Sequence, residues 1–387
     1  MALALLAGGA WWVVRGPMVG KPMAAVPDVD LDSMASRPSD TTPSDVAQPG
    51  PARSVLAAVG AASVASGANA ATCGEDGGPK FAEPEEYDGM WLPSQTLVKG
   101  ATPGFIAGQA RIDAALRGSA DPFDRAAADL LNAGDSRTPS GSVDALVQQA
   151  SSTQDPRVYG LAMRACESTR FRATLSMQAD VTAPASCAML DSRRWADLDP
   201  GNGVPWLWVL ARANEARDGA GRREALARLA AARRFDAAFF GVAATVANHT
   251  AVEADGNAGL AMIYQSIADA SLTFPPGVGL AQTCKDHAGG DETVAKQCAE
   301  IATTMFEHTD SLMLHYWAGT ITFMFSGDTT RRDAARAELG TLGEQQAAAM
   351  PDASCAALRY SLKHFVRANE IGELAALREA ASAPAKP

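Results

Sequence analysis

Histidine and cysteine are scarce in this chain: five and six in 387 residues, and their placement excludes more chemistry than it offers. His249, His287, His308, His315 and His364 are scattered. His308 and His315 stand two helical turns apart, but Thr309-Asp310-Ser311 between them reads as a helix break followed by an N-cap. No Cys-x-x-Cys or Cys/His cluster of zinc spacing occurs, and neither does His-Glu-x-x-His, Gly-x-Ser-x-Gly or a glycine-rich phosphate loop. Neither a metal nor a cofactor is therefore expected. Positive charge is short as well: 33 Lys and Arg face 44 Asp and Glu, a net −11 with a pI near 5.0. Nucleic acid rewards a positive field, so it is not an expected partner. Aromatic residues make up only 6% of the chain, and Ile is rare beside Ala. Strands want β-branched and aromatic side chains, whereas Ala loses no side-chain entropy in a helix. The chain reads as all-α.

Long apolar runs are also few, and the clearest stands at the N-terminus. Ala2 to Val14, "ALALLAGGAWWVV", spans roughly 20 Å as a helix, short of a bilayer core of about 30 Å. It suits a signal-peptide core or a membrane anchor, and the paired Trp11 and Trp12 favour an interfacial position at a helix end. Residues 1–15 are thus expected to act as an anchor or signal, with the rest outside the cytoplasm: inner-membrane anchored and facing the periplasm, or secreted. Residues 16–71, rich in Pro, Ser, Asp and Ala, read as a flexible linker. Residues 72–104 read as an irregular lead-in, and 105–387 as a helical repeat domain.

What is abundant is helix signal. "DPFDRAAADLLNAGD" and "DPRVYGLAMRAC" each open on Asp-Pro, an N-cap followed by proline in the first turn. "CAMLDSRRWADLD", "VPWLWVLARANEAR", "GRREALARLAAARR" and "FDAAFFGVAATVANH" follow as further helices, and the tail continues the pattern through "IGELAALREAA". Segments this short with brief connections form antiparallel pairs. Cys166 and Cys187 flank one loop between predicted helices, and Cys284 and Cys298 flank another, so each pair is a disulfide candidate. Cys73 and Cys355 are left either bonded across the chain or free.

The stretch "LDPGNGVPWLWVLARANEARDGAGRREALARLAAA" resembles a tetratricopeptide repeat. Pro200 stands where that family ends one repeat, Asn202 and Trp206 where it opens the next, and Ala225, Leu229 and Ala232 at its packing positions. The resemblance implies helix pairs stacked as an α-solenoid, in which each pair buries a face it cannot bury alone. The chain is also similar to bacterial proteins that join a membrane anchor, a Pro-rich tether and a cysteine-clipped helical region, a likeness that implies no activity. On these grounds the expected role is a non-catalytic scaffold or adaptor that holds a protein partner, tethered to the membrane by its N-terminal segment.

One alternative is enzymatic. Glu167-Ser168 in "CESTRF" resembles the Glu-Ser of lytic transglycosylases, where a buried Glu acts as general acid on peptidoglycan. The Gly-rich continuation of that motif is missing here, and a single Glu does not make a site. Separately, Arg217, Arg222, Arg223, Arg228, Arg233 and Arg234 crowd one hairpin. They read as a solvated outer face, or as a basic face for an acidic partner.

Overall fold

The two Asp-Pro dipeptides that open helices do what their chemistry predicts. Asp121 accepts a hydrogen bond from the Phe123 amide at 2.9 Å, and Asp155 accepts one from the Arg157 amide at 2.8 Å. The carboxylates satisfy amides that have no partner in a first helical turn, while the prolines occupy positions that need no donor. Asp191, Asp218, Asp291 and Ser311 cap four further helices in the same way.

The computed structural model describes residues 103–133, 139–175, 183–272, 277–287, 289–349 and 355–382. The helices are α1 (Pro103–Gly118), α2 (Pro122–Ala133), α3 (Pro139–Ser152), α4 (Pro156–Leu175) and α5 (Ser192–Leu198). Then come α6 (Val204–Glu215), α7 (Gly219–Ala230), α8 (Gly241–Asn248), α9 (Val252–Leu272) and α10 (Gly277–His287). The last are α11 (Glu292–Glu307), α12 (Leu312–Ser326), α13 (Thr330–Ala349), α14 (Cys355–Ile371) and α15 (Glu373–Ser382). A 3-10 turn spans Ala185–Met189. Among the described residues the fold is all-α, and its only β pairing is two isolated bridges, Asn202 with Arg234 and Phe235 with Thr309. The proposed anchor (1–15), the linker (16–71), nearly all of the lead-in and Cys73 lie outside the described residues, and so does the Cys355 side chain. No described helix is long and apolar enough to cross a membrane.

Helices adjacent in sequence pair as their short connections require: α2 with α3, α3 with α4, α6 with α7, α11 with α12, α12 with α13. Other partners are distant in sequence: α1 lies on α9, α7 on α11, and α8 on α14. One continuous apolar core runs through these contacts, with Tyr159, Leu207, Leu226, Phe235 and Ile263 fully enclosed. Cys166 on α4 bonds Cys187 in the 3-10 turn, and Cys284 on α10 bonds Cys298 on α11. Both sequence-derived pairs are therefore disulfides.

Two expected helices are corrected. Residues 185–198 are a 3-10 turn followed by a separate helix, because Asp191 caps α5 from an extended conformation. The helix expected from Phe235 begins only at Gly241. Phe235 is instead held in extended pairing at the centre of the molecule, its amide donating to the His308 carbonyl at 2.8 Å. Helix propensity loses there to a long-range contact.

Gly203, the N-cap of α6, shows how tight this region is. A Cβ there would lie 2.3 Å from the Phe235 ring. The Gly203→Ala variant should lose about 1–3 kcal/mol in chemical denaturation through overpacking, and adding Phe235→Leu should recover part of it. Equal losses in both variants would mean that the ring contact is not the cause.

Candidate functional site

Four loop segments converge where α6, α12 and α15 begin. Asn202, 3% exposed, is the first tie. Its side-chain oxygen accepts from the Val204 and Asp236 amides, each at 3.0 Å, and its amide group donates to the Asp236 carbonyl at 2.8 Å. A buried Asn that uses both ends of its side chain locks segment 199–204 to segment 234–238. Beyond Phe235 the ladder continues. The Asp310 amide donates to the Phe235 carbonyl at 3.2 Å, and the Glu373 amide to the Asp310 carbonyl at 2.7 Å. Gly372, at φ 88°, makes the approach possible, since a Cβ there would press within 3.1 Å of the Asp310 backbone.

Three carboxyls collect at this junction. Asp310 accepts from the Ala237 amide at 2.9 Å and lies within hydrogen-bonding reach of the Asp236 carboxyl. Two carboxyls in such contact need a proton between them. Burial first, and the neighbouring Asp236 second, hold Asp310 well above the usual carboxylate range. Glu373 accepts from the Leu312 amide at 2.9 Å, and burial pushes it up to about 7.

Arg164 on α4 lies near enough to two of these carboxyls, Asp310 and Asp236, to feel their charge. Burial pulls its guanidinium down to about 10, against the attraction of Asp310 and Asp236. Both aspartates are near enough to act on its charge, yet neither bonds it, and among the described residues it has no hydrogen-bond or ion-pair partner. Arg164 lines two small clefts. One is shared with Leu130, Ser168, Phe239, Val242 and Ser266, the other with Trp195, Val204, Trp208, Ala237 and Phe239. Each leaves about 10 Å³, room for about one water.

The residues singled out from sequence fall elsewhere. Trp206 on α6 is 8% exposed, with the Arg228 guanidinium 5.6 Å from its ring centroid. Ala225 and Leu229 on α7 are fully buried, whereas Pro200 sits exposed in the turn before α6. Glu167 is clasped by Arg170 and by Arg212, the latter at 2.6 Å, so two guanidiniums already satisfy the carboxylate. The residues beside it were missed. Arg164 and Ser168 share a face of α4, one turn apart, and a lone Arg inside the apolar run "VYGLAMRAC" was the available signal.

On the outer side of the α6–α7 hairpin, Arg217, Arg223, Arg228 and Arg233 are exposed. Arg193 pairs with Glu224 at 2.6 Å, and Arg234 with Asp199 at 2.6 Å. The hairpin therefore holds more guanidiniums than carboxylates. Compared with protein-family models, curated proteins and solved structures, the chain matches none.

Proposed function

We propose that the chain is a non-catalytic scaffold or adaptor, tethered by its N-terminal segment, facing the periplasm or the cell exterior, and holding a protein partner. In this reading the α6–α7 hairpin is a tetratricopeptide-like unit, and the neighbouring helix pairs stack against it in an array folded back on itself through α9, α11 and α14. The observation that carries the reading is the hairpin's two-sidedness. Its inner face sinks Trp206, Leu207, Leu226 and Leu229 into the core, while its outer face keeps Arg217, Arg223 and Arg233 in solvent on a chain of net charge −11. Arginine is favoured at interfaces because its planar fork binds carboxylates in two places at once. The expected partner therefore presents acidic side chains. The two disulfides fit an oxidising compartment.

The test is cross-linking of the full chain in its native cells, comparing the unaltered protein with Arg217→Glu/Arg223→Glu. The variant should fold normally by circular dichroism and lose a specific cross-linked adduct. An adduct pattern unchanged by the charge reversal would reject the hairpin as the docking surface. Thiol labelling of the same cells should find Cys166, Cys187, Cys284 and Cys298 oxidised, and free thiols there would reject export.

A further inference from the structure

We infer that the arginine face of the α6–α7 hairpin is an interaction surface for an acidic segment of the same chain, Glu83–Asp88. That segment lies outside the described residues, and its sequence, "EPEEYD", places the carboxylates Glu83, Glu85, Glu86 and Asp88 close together. The face itself is described. Arg217 in the turn before α7, Arg223 and Arg228 on the helix and Arg233 beyond it are all exposed. Among the described residues none of these holds a carboxylate, whereas Arg117, Arg157, Arg367 and Arg378 elsewhere on the surface each do. The hairpin's own acids do not fill the need. Glu224 is held by Arg193 at 2.6 Å, and Asp218 caps α7 by accepting from the Ala220 and Gly221 amides, each at 3.0 Å. Glu215, without an ion pair among the described residues, is a single carboxylate beside several guanidiniums. Uncompensated like charges on one face repel each other and attract an anionic chain, which their planar forks can grip.

Length and tether select this occupant. The helix α7, 12 residues at about 1.5 Å each, is about 18 Å long, and Glu83–Asp88 at an extended rise of about 3.3 Å per residue covers about 17 Å. From Asp88 to Pro103, where α1 begins, the chain can reach up to about 50 Å, while a body of this size has a radius of gyration of about 18 Å. The hairpin is therefore within reach wherever it lies on the surface. A second acidic cluster, Asp28, Asp30 and Asp32, is tethered from much farther upstream, and effective concentration falls as roughly the −3/2 power of tether length, so it competes at about a tenth of the strength. Each exposed ion pair is weak alone, but a short tether presents the segment at on the order of millimolar concentration, so several pairs hold together while salt is low. The contact itself needs no outside partner. Its consequence rests on the docking role proposed above: the segment masks the arginines, and an acidic partner must displace it.

The test places p-benzoylphenylalanine at Tyr87 of the full chain, photoactivates it at low salt and maps the adduct by mass spectrometry. The adduct should fall in residues 217–233 of the same chain and drop at least about fivefold in about 0.5 M NaCl, where charges are screened within a few ångströms. Arg217→Glu/Arg223→Glu should reduce it as much, and so should Glu83→Gln/Glu85→Gln/Glu86→Gln/Asp88→Asn. The second set leaves every described helix untouched, so misfolding cannot imitate the result. No adduct, an adduct elsewhere, or one indifferent to either charge change overturns the proposal. An adduct of twice the chain's mass puts the segment on a second copy and overturns the contact within one chain. The docking role is read separately, in native cells. Neutralising the segment should strengthen the partner adduct that reversal of the hairpin arginines abolishes, and no change in it would overturn the masking. If the partner adduct ignores the reversal while the Tyr87 adduct obeys it, the docking role fails and the contact stands. The opposite pair of results overturns the contact alone.

Discussion

Replacing Glu373 by Gln should remove a stability loss of about 2–3 kcal/mol that the unaltered protein suffers as pH rises from about 4.5 to 7. In the unfolded chain a Glu releases its proton near 4.5, whereas burial at the start of α15 holds the folded carboxyl up to about 7. Between those values the folded state binds the extra proton, so stability falls as pH rises, and above about 7 the slope vanishes. Gln resembles the protonated acid and keeps an oxygen to accept from the Leu312 amide. The variant should therefore match the unaltered protein near pH 4.5 and exceed it near pH 8 in urea denaturation with the disulfides intact. Asp310 adds a slope of the same sign through its own upward displacement, while Asp124 and Asp155, both held low, act oppositely at more acid pH. Parallel profiles for the two proteins would show that Glu373 does not keep its proton in the folded state.

The second large effect belongs to the disulfides. Cys166–Cys187 closes a span of 21 residues and Cys284–Cys298 one of 14. Chain-entropy reasoning assigns about 3 kcal/mol to each, because the bond restricts the unfolded ensemble far more than the folded one. Cys166→Ala/Cys187→Ala and Cys284→Ala/Cys298→Ala should each lower the denaturation midpoint accordingly. The two losses should add, since the bonds clip different helices: α4 to the 3-10 turn, and α10 to α11. A reductant should cost the unaltered protein at least as much as both changes together do. Unchanged stability in either double variant would mean that its pair is not bonded in the protein as isolated.

How far the sequence announces the structure depends on the range of the interactions concerned. Capping is local: Asp121, Asp155 and Ser311 announce their helices because the carboxylate or hydroxyl bonds an amide two residues on. The Cys pairs were equally legible, since short loops between helices limit which thiols can meet. The packing position of Trp206 was implied by the tetratricopeptide resemblance, and the side chain is buried. The extended course of Phe235 did not, because nothing near it in sequence opposes a helix. It is set by the His308 carbonyl, 73 residues away. The same gap hid the surroundings of Arg164, three positions before Glu167, because Asp236 and Asp310 reach it from distant segments.

By itself the sequence determined the helical class, the positions where most helices start and the two disulfide pairs, all consequences of composition, periodicity, capping and short loops. Only the tertiary structure decided that α1 lies on α9 and α8 on α14, that Asp236, Asp310 and Glu373 meet, and that Arg164 comes near enough to Asp236 and Asp310 to feel their charge. Desolvation and charge coupling depend on which distant segments exclude water together, and no local pattern encodes that.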